Sequence, residues 1–188
     1  MKSLLNNKKG FSIAEIVTVS AIFVIILSLT LASFRRGEHR SEFILIVEEV
    51  ASSIRKMQIQ SLTGIIGEED EVASGGYGVY FDLTQAGQYI LFRTSNDEAY
   101  DGADEVVSIV DLPPEVNLSE LPDAGGNDLS VVFKPPKPTI YINGQTASQL
   151  SEATIDIFLV SDRISDKRGQ ITVNAITGRI TSEFVNNP

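Results

Sequence analysis

Between Phe11 and Phe34 the chain runs for 24 residues, FSIAEIVTVSAIFVIILSLTLASF, with one charge, Glu15. A helix of that length measures about 36 Å, enough to cross a hydrocarbon core of about 30 Å with some tilt. Lys2, Lys8 and Lys9 precede the run and no acid does. That bias places the N-terminus on the cytoplasmic side and everything after Phe34 on the other. The charge inside the run is the anomaly. A lone carboxylate costs roughly 2.5–3.5 kcal/mol at the centre of a membrane helix and less near the interface, so it calls for a partner. The spacing offers an α-amine. Were the chain to begin at Phe11, Glu15 would lie one helical turn from that amine and equally within reach of a neighbouring copy's. An ordinary signal anchor with an incidental glutamate is the alternative. A secretory signal peptide fits less well, because the run is too long and no small-residue cleavage site follows it.

The helical pattern does not stop at the membrane exit marked by Arg35, Arg36, Glu38, His39 and Arg40. Apolar residues recur at Phe43, Val47, Val50, Ile54 and Met57, with Ile44 and Ala51 widening the stripe. This is one face of a helix, with Glu48, Glu49, Arg55 and Lys56 on the other side. The spacing predicts one helix from about Ser12 to about Leu62, ending near Gly64, with Gly37 its weak point at roughly 1 kcal/mol relative to alanine. After an acidic loop the period changes to two. Strands are expected at Tyr77–Asp82, Gln88–Arg93, Glu105–Val110, Val116–Leu118, Leu129–Lys134, Thr139–Ile142, Thr154–Val160, Gly169–Asn174 and Arg179–Phe184. Gly, Pro, Asp and Asn punctuate them at intervals of about ten residues, the pattern of antiparallel sheets. The fold class is therefore α+β. A long N-terminal helix has a membrane half and an amphipathic half, and the amphipathic half packs on an antiparallel β domain.

Lys8-Lys9-Gly10-Phe11-Ser12-Ile13-Ala14-Glu15, followed at once by an apolar helix, resembles the class III signal of type IV prepilins and type II secretion pseudopilins. The resemblance implies cleavage after Gly10 by a prepilin peptidase and methylation of the new N-terminus at Phe11. It implies that Glu15 guides assembly by pairing with the N-terminal amine of the adjacent subunit. The implied partners are other pilin or pseudopilin subunits, the peptidase, an assembly platform and the cytoplasmic membrane, with a periplasmic or surface filament as the final location. On this reading residues 1–10 are a leader and 11–34 the transmembrane and assembly half of the helix. Residues 35–64 are its amphipathic half, and 65–188 an extracytoplasmic β domain. GYGVYFD, QYILFRTSNDEAYDGADE and the terminal DKRGQITVNAITGRI look like the GspH/FimT-type minor subunits, which implies a β-sandwich-like domain behind the helix. Some proteins of that type bind DNA through a basic Gly-Arg-x-Arg element. The matching residues here are Gly178-Arg179-Ile180-Thr181, with Thr181 in place of the second arginine.

Charge and composition narrow the remaining classes. The net charge is −10 and there is no cysteine, so disulfides and thiolate metal sites are excluded. From Gly64 to Phe133 there are fifteen acids and one base, Arg93, a stretch that repels nucleic acid. Arg163, Lys167, Arg168 and Arg179 form the only basic group beyond the helix, on what reads as neighbouring loops balanced by Asp162, Asp166 and Glu183. They are the candidate DNA contacts. Asp97, Asp101, Asp104 and Glu105 supply hard oxygen ligands and make a candidate calcium loop, although the spacing is not that of an EF-hand. His39 is the only histidine, and no nucleophile elbow or glycine-rich phosphate loop is present. The expectation is a structural protein, not an enzyme.

Overall fold

The computed structural model describes residues 12–63, 76–94, 98–122, 126–135, 139–150 and 154–187. It has one long helix, α1 (Ile13–Thr63), and ten strands, β1 (Gly76–Asp82), β2 (Gln88–Thr94), β3 (Glu105–Asp111), β4 (Val116–Glu120), β5 (Asp128–Lys134), β6 (Thr139–Ile142), β7 (Gln145–Thr146), β8 (Thr154–Ser161), β9 (Ile164–Asn174) and β10 (Ile180–Asn186). The class is α+β with antiparallel sheets. By internal contacts the chain divides between His39 and Arg40, and the two units are described separately.

In the first unit, Ile13–Leu31 is the one span among the described residues long and apolar enough to cross a membrane, with a mean hydropathy of 2.4. None of that span is buried by protein. Even its least exposed large apolar side chains, Ile22 and Leu27, are 53% exposed. The hydroxyls of Thr18, Ser20, Ser28 and Thr30 donate to the carbonyls four residues back, at 2.8 Å each. Polar groups are thus satisfied inside the helix, as a lipid surrounding requires.

The second unit holds two antiparallel sheets. One has six strands in the order β3-β2-β1-β5-β6-β7, the other four in the order β10-β9-β8-β4. A single hydrophobic cluster draws on the helix and on both sheets. Phe43, Val47, Val50, Ile54 and Met57 of α1 join Val79, Phe81, Leu91 and Val131 of the first sheet and Ile157, Leu159, Ile171 and Val173 of the second. The alternation expected from period two explains this. Tyr77, Val79 and Phe81 of β1, Leu129, Val131 and Phe133 of β5, Ile155, Ile157 and Leu159 of β8, and Ile171 and Val173 in the last part of β9 lie in the cluster, and the residues between them face away.

Glycine decides how closely α1 approaches β9. A Cβ on Gly169 would stand 2.2 Å from Cγ2 of Val47, so no other residue fits without displacing the Val47 side chain or the helix that carries it. At the β9–β10 turn Gly178 has φ +71°, and a Cβ there would meet Nε2 of Gln58 at 2.7 Å. The left-handed backbone conformation is what requires glycine at this position, since the Gln58 amide at the end of a flexible side chain could move aside. Polar side chains of α1 then tie down strand carbonyls. Gln58 donates to Gly178 at 2.9 Å, Arg55 to Ile180 at 3.2 Å, and buried Ser61 to Phe133 at 2.5 Å.

Several expectations need correction. β9 begins at Ile164, not Gly169, so Lys167 and Arg168 lie in a strand and not a loop. Arg55 and Glu48 do not face away from the fold: Arg55 reaches Ile180 and Glu48 accepts a hydrogen bond from Ser182 on β10. The two-residue strand β7 was not expected, and a 3-10 turn, Leu83–Gln85, occupies the β1–β2 connection. β10 starts one residue later than expected and runs two residues further. The acidic stretch Glu68–Glu71 lies outside the described residues.

Candidate functional site

The start of α1 is built by local chemistry. Ser12 is the residue before the first helical turn, and Glu15 is its third helical position. The Glu15 amide donates to Oγ of Ser12 at 3.2 Å, and the Ser12 amide points back at the Glu15 carboxylate at 3.5 Å. This is the reciprocal arrangement of a capping box, which satisfies two amides that the helix leaves without partners. The carboxylate also sits at the positive end of the helix dipole. Glu15 therefore has a role within its own chain that the sequence reading missed. The signal was present: Ser-x-x-Glu directly before an apolar run. Both residues are exposed, so the carboxylate remains reachable from outside. Gly10 and Phe11, the expected processing site, lie outside the described residues.

The four candidate DNA contacts are not brought together. β8, β9 and β10 form a meander, so the β8–β9 and β9–β10 turns fall at opposite ends of β9. Arg163 sits in the first turn and Arg179 just after the second. Arg168 stands opposite Val185, whereas Ile180, next to Arg179, stands opposite Val173. The five steps from residue 168 to residue 173 alone span about 17 Å. The pairing also differs from expectation. Arg163 is 3.2 Å from Glu115 and Arg168 is 2.7 Å from Glu120. Lys167 donates to Asn186 across the hairpin. The guanidinium of Arg168 lies 3.9 Å from the ring centroid of Phe158. It thereby covers an aromatic ring on the sheet face away from the core. Arg179 is exposed and lines a shallow cavity with Thr154, Thr172, Asn174, Thr181 and Glu183.

The candidate calcium loop is a strap across the outer face of the six-stranded sheet. The Tyr100 amide donates to Oγ of Ser130 on β5 at 3.0 Å. The Tyr100 ring packs on Tyr80 and Phe92, with centroids 4.6 and 4.9 Å away. At the far side Tyr141 of β6 meets Glu98; burial, then the charge of Glu98 and the hydrogen bond to it, raise the Tyr141 phenol above its ordinary value. Asp101 accepts from the Ala103 amide at 2.8 Å, an Asx turn. Glu105 is ion-paired with Arg93 at 3.1 Å. Among the described residues no three carboxylates or imidazoles gather into a metal-holding group, so Asp101, Asp104 and Glu105 do not form one. Asp97 lies outside the described residues.

No protein-family model matches the chain, nor does any curated protein or solved structure.

Proposed function

We propose that this chain is a structural subunit of a helical filament. On this reading it is a minor pilin or pseudopilin of the GspH/FimT type, in which the two sheets form a sandwich against the helix. The chain is cut between Gly10 and Phe11 by a prepilin peptidase. It waits in the cytoplasmic membrane with its N-terminus inside, and is extracted through an assembly platform into a type IV pilus or a type II secretion pseudopilus. The observation that carries the reading is the carboxylate of Glu15 at the start of an uninterrupted 51-residue helix. Its apolar stretch has no protein cover, while its stripe from Phe43 to Met57 belongs to a packed core. A helix so divided suits a chain whose first half exchanges lipid for neighbouring helices while the second half stays docked. The capping box adds a physical step. In the lone subunit Ser12 and the helix dipole stabilise the Glu15 charge, and in the filament a neighbour's amine would take over that task.

N-terminal sequencing of the mature protein tests the reading directly. A start at Phe11 is expected, and an intact Met1 would refute it. Glu15→Ala is expected to leave cleavage intact and to exclude the subunit from filaments; normal incorporation of that variant would remove the assembly role. DNA uptake, the alternative function, draws little support from a basic group that is split between two ends of a hairpin and largely engaged with Glu115, Glu120 and Asn186.

A further inference from the structure

One edge of the six-stranded sheet has no described partner: β3 ends the strand order, and only β2 pairs with it. All of its residues but Val110 are exposed. Three are large and apolar, Val106 at 44%, Val107 at 42% and Ile109 at 54% exposure. Val106 pairs with Phe92 and Ile109 with Ile90, residues of the sheet face away from the core. The strand carries no proline and no lysine, two common devices that protect an edge from pairing; its one interruption is a bulge at Val107, where the register against β2 shifts and Val106 and Ile109 come to one face although three residues apart.

The charges around β3 are of one sign. From Glu98 to Glu120 there are seven acids and no base. Arg93, Arg163 and Arg168 meet three of them, Glu105, Glu115 and Glu120. Asp111, at the end of the strand, and Asp101, ahead of its start, are both exposed. This pattern selects against self-pairing. An antiparallel copy brings the Glu105 end of one strand against the Asp111 end of the other, and a parallel copy in register sets each acid beside itself. Like charges directly opposite one another are destabilising. The other sheet edges of a second copy are no better. β4 carries Glu120, β10 carries Glu183, and β7 has only two residues. The chain's own segment 64–75 holds Glu68 to Glu71 and no base.

We propose that β3 is a docking edge for an extended segment of a different protein, one that alternates apolar residues and carries lysine or arginine at its ends. Main-chain hydrogen bonds along the free edge would supply affinity. The segment would pair on the Ser108–Asp111 side of the bulge, with an apolar side chain beside Ile109 and a basic end at Asp111, and its other end would lie past the bulge against Val106 and the Asp101–Glu105 turn. The proposal does not depend on the filament reading.

The test uses the full-length protein in detergent micelles and a synthetic peptide of alternating valine and threonine with lysine at both ends. A control peptide has glutamate at both ends. Binding is read by fluorescence anisotropy at two salt concentrations, and hydrogen exchange reports on the amides of Glu105–Asp111. The lysine-ended peptide is expected to bind saturably, more weakly at higher salt, and to slow exchange in β3. Asp111→Lys and Ile109→Lys are each expected to weaken binding about fivefold, near the upper range of one cross-strand pair, with unchanged thermal melting. Equal binding of the glutamate-ended peptide would overturn the proposal. So would protection at another surface, full binding to Ile109→Lys, or no binding of the lysine-ended peptide. Self-association that Ile109→Lys abolishes would also overturn it, because the occupant would then be a second copy.

Discussion

Two stretches of α1 have the same backbone and opposite surroundings. In the first, Ile25 is 60% exposed; in the second, Ile54 is fully buried. Ser28 turns its hydroxyl onto the carbonyl of Val24, one turn back in its own helix. Ser61 sends its hydroxyl to Phe133, on a strand distant in sequence. The first stretch is apolar on every side and keeps its polar groups to itself. The second has one apolar stripe, and Arg55, Gln58 and Ser61 beside that stripe reach strand or turn carbonyls. A helix directs its polar groups inward when its surroundings cannot bond them, and outward when a fixed partner can.

The same substitution on both sides gives the sharpest contrast. Ile54→Ala removes buried methyl groups from a site lined by two sheets and is expected to destabilise the second unit by about 2–5 kcal/mol. Ile25→Ala leaves no protein cavity and is expected to leave the thermal midpoint of that unit unchanged. Melting of both full-length variants in the same detergent decides it. A comparable loss from Ile25→Ala would mean that the first stretch also has a protein partner within its own chain. Gly169→Ala ranks next. Its Cβ would meet Val47 at 2.2 Å, an overlap expected to cost about 1–3 kcal/mol. Val47→Ala in the same chain should recover part of that loss, and a double-mutant cycle reads the coupling. Simple additivity would show that α1 shifts away from β9 at no cost.

Much of this was legible in the sequence because the signals are periodic and local. The run after Gly10 fixed the first stretch, the 4-3-4-3 stripe fixed the second, and alternation found nine of the ten strands within a few residues. What stayed hidden depends on distant partners. Phe92 and Phe158 are buried on the sheet faces away from the core, where alternation predicts exposure. Tyr100 of the strap covers one and Arg168 of the neighbouring strand covers the other. Neither cover is visible in a window of adjacent residues. The basic group misled for a related reason. DKRG reads as a turn by composition, but pairing with β8 and β10 holds it in a strand, where Glu120 receives Arg168. The capping role of Glu15 is local and stands in the sequence as Ser12-x-x-Glu15, three residues apart at the head of the apolar run.

The smallest expected effect separates the two stretches by pH. Tyr89 is buried in the second unit and shares a 3.0 Å hydrogen bond with Ser53 of α1. Burial raises its phenol above the ordinary 10.0; the bond from Ser53 opposes this and the charge of Glu49 adds to it. The folded state therefore holds the Tyr89 proton more tightly than the unfolded chain does. Its contribution is complete below about pH 10 and is lost as pH rises through the folded value, because the unfolded chain then binds fewer protons. Tyr80 and Tyr141 are raised in the same direction and steepen the same loss. Tyr89→Phe should lower stability at neutral pH by about 1 kcal/mol through the missing hydrogen bond. It should also make the decline above pH 10 shallower. Between Ile13 and Leu31 there is no tyrosine, lysine or cysteine, so the tyrosine part of the alkaline loss should report on the second unit alone. Chemical denaturation of wild type and Tyr89→Phe between pH 8 and 11 checks both parts. Parallel curves would place the titrating tyrosine elsewhere and leave the Ser53–Tyr89 bond as the only link tested.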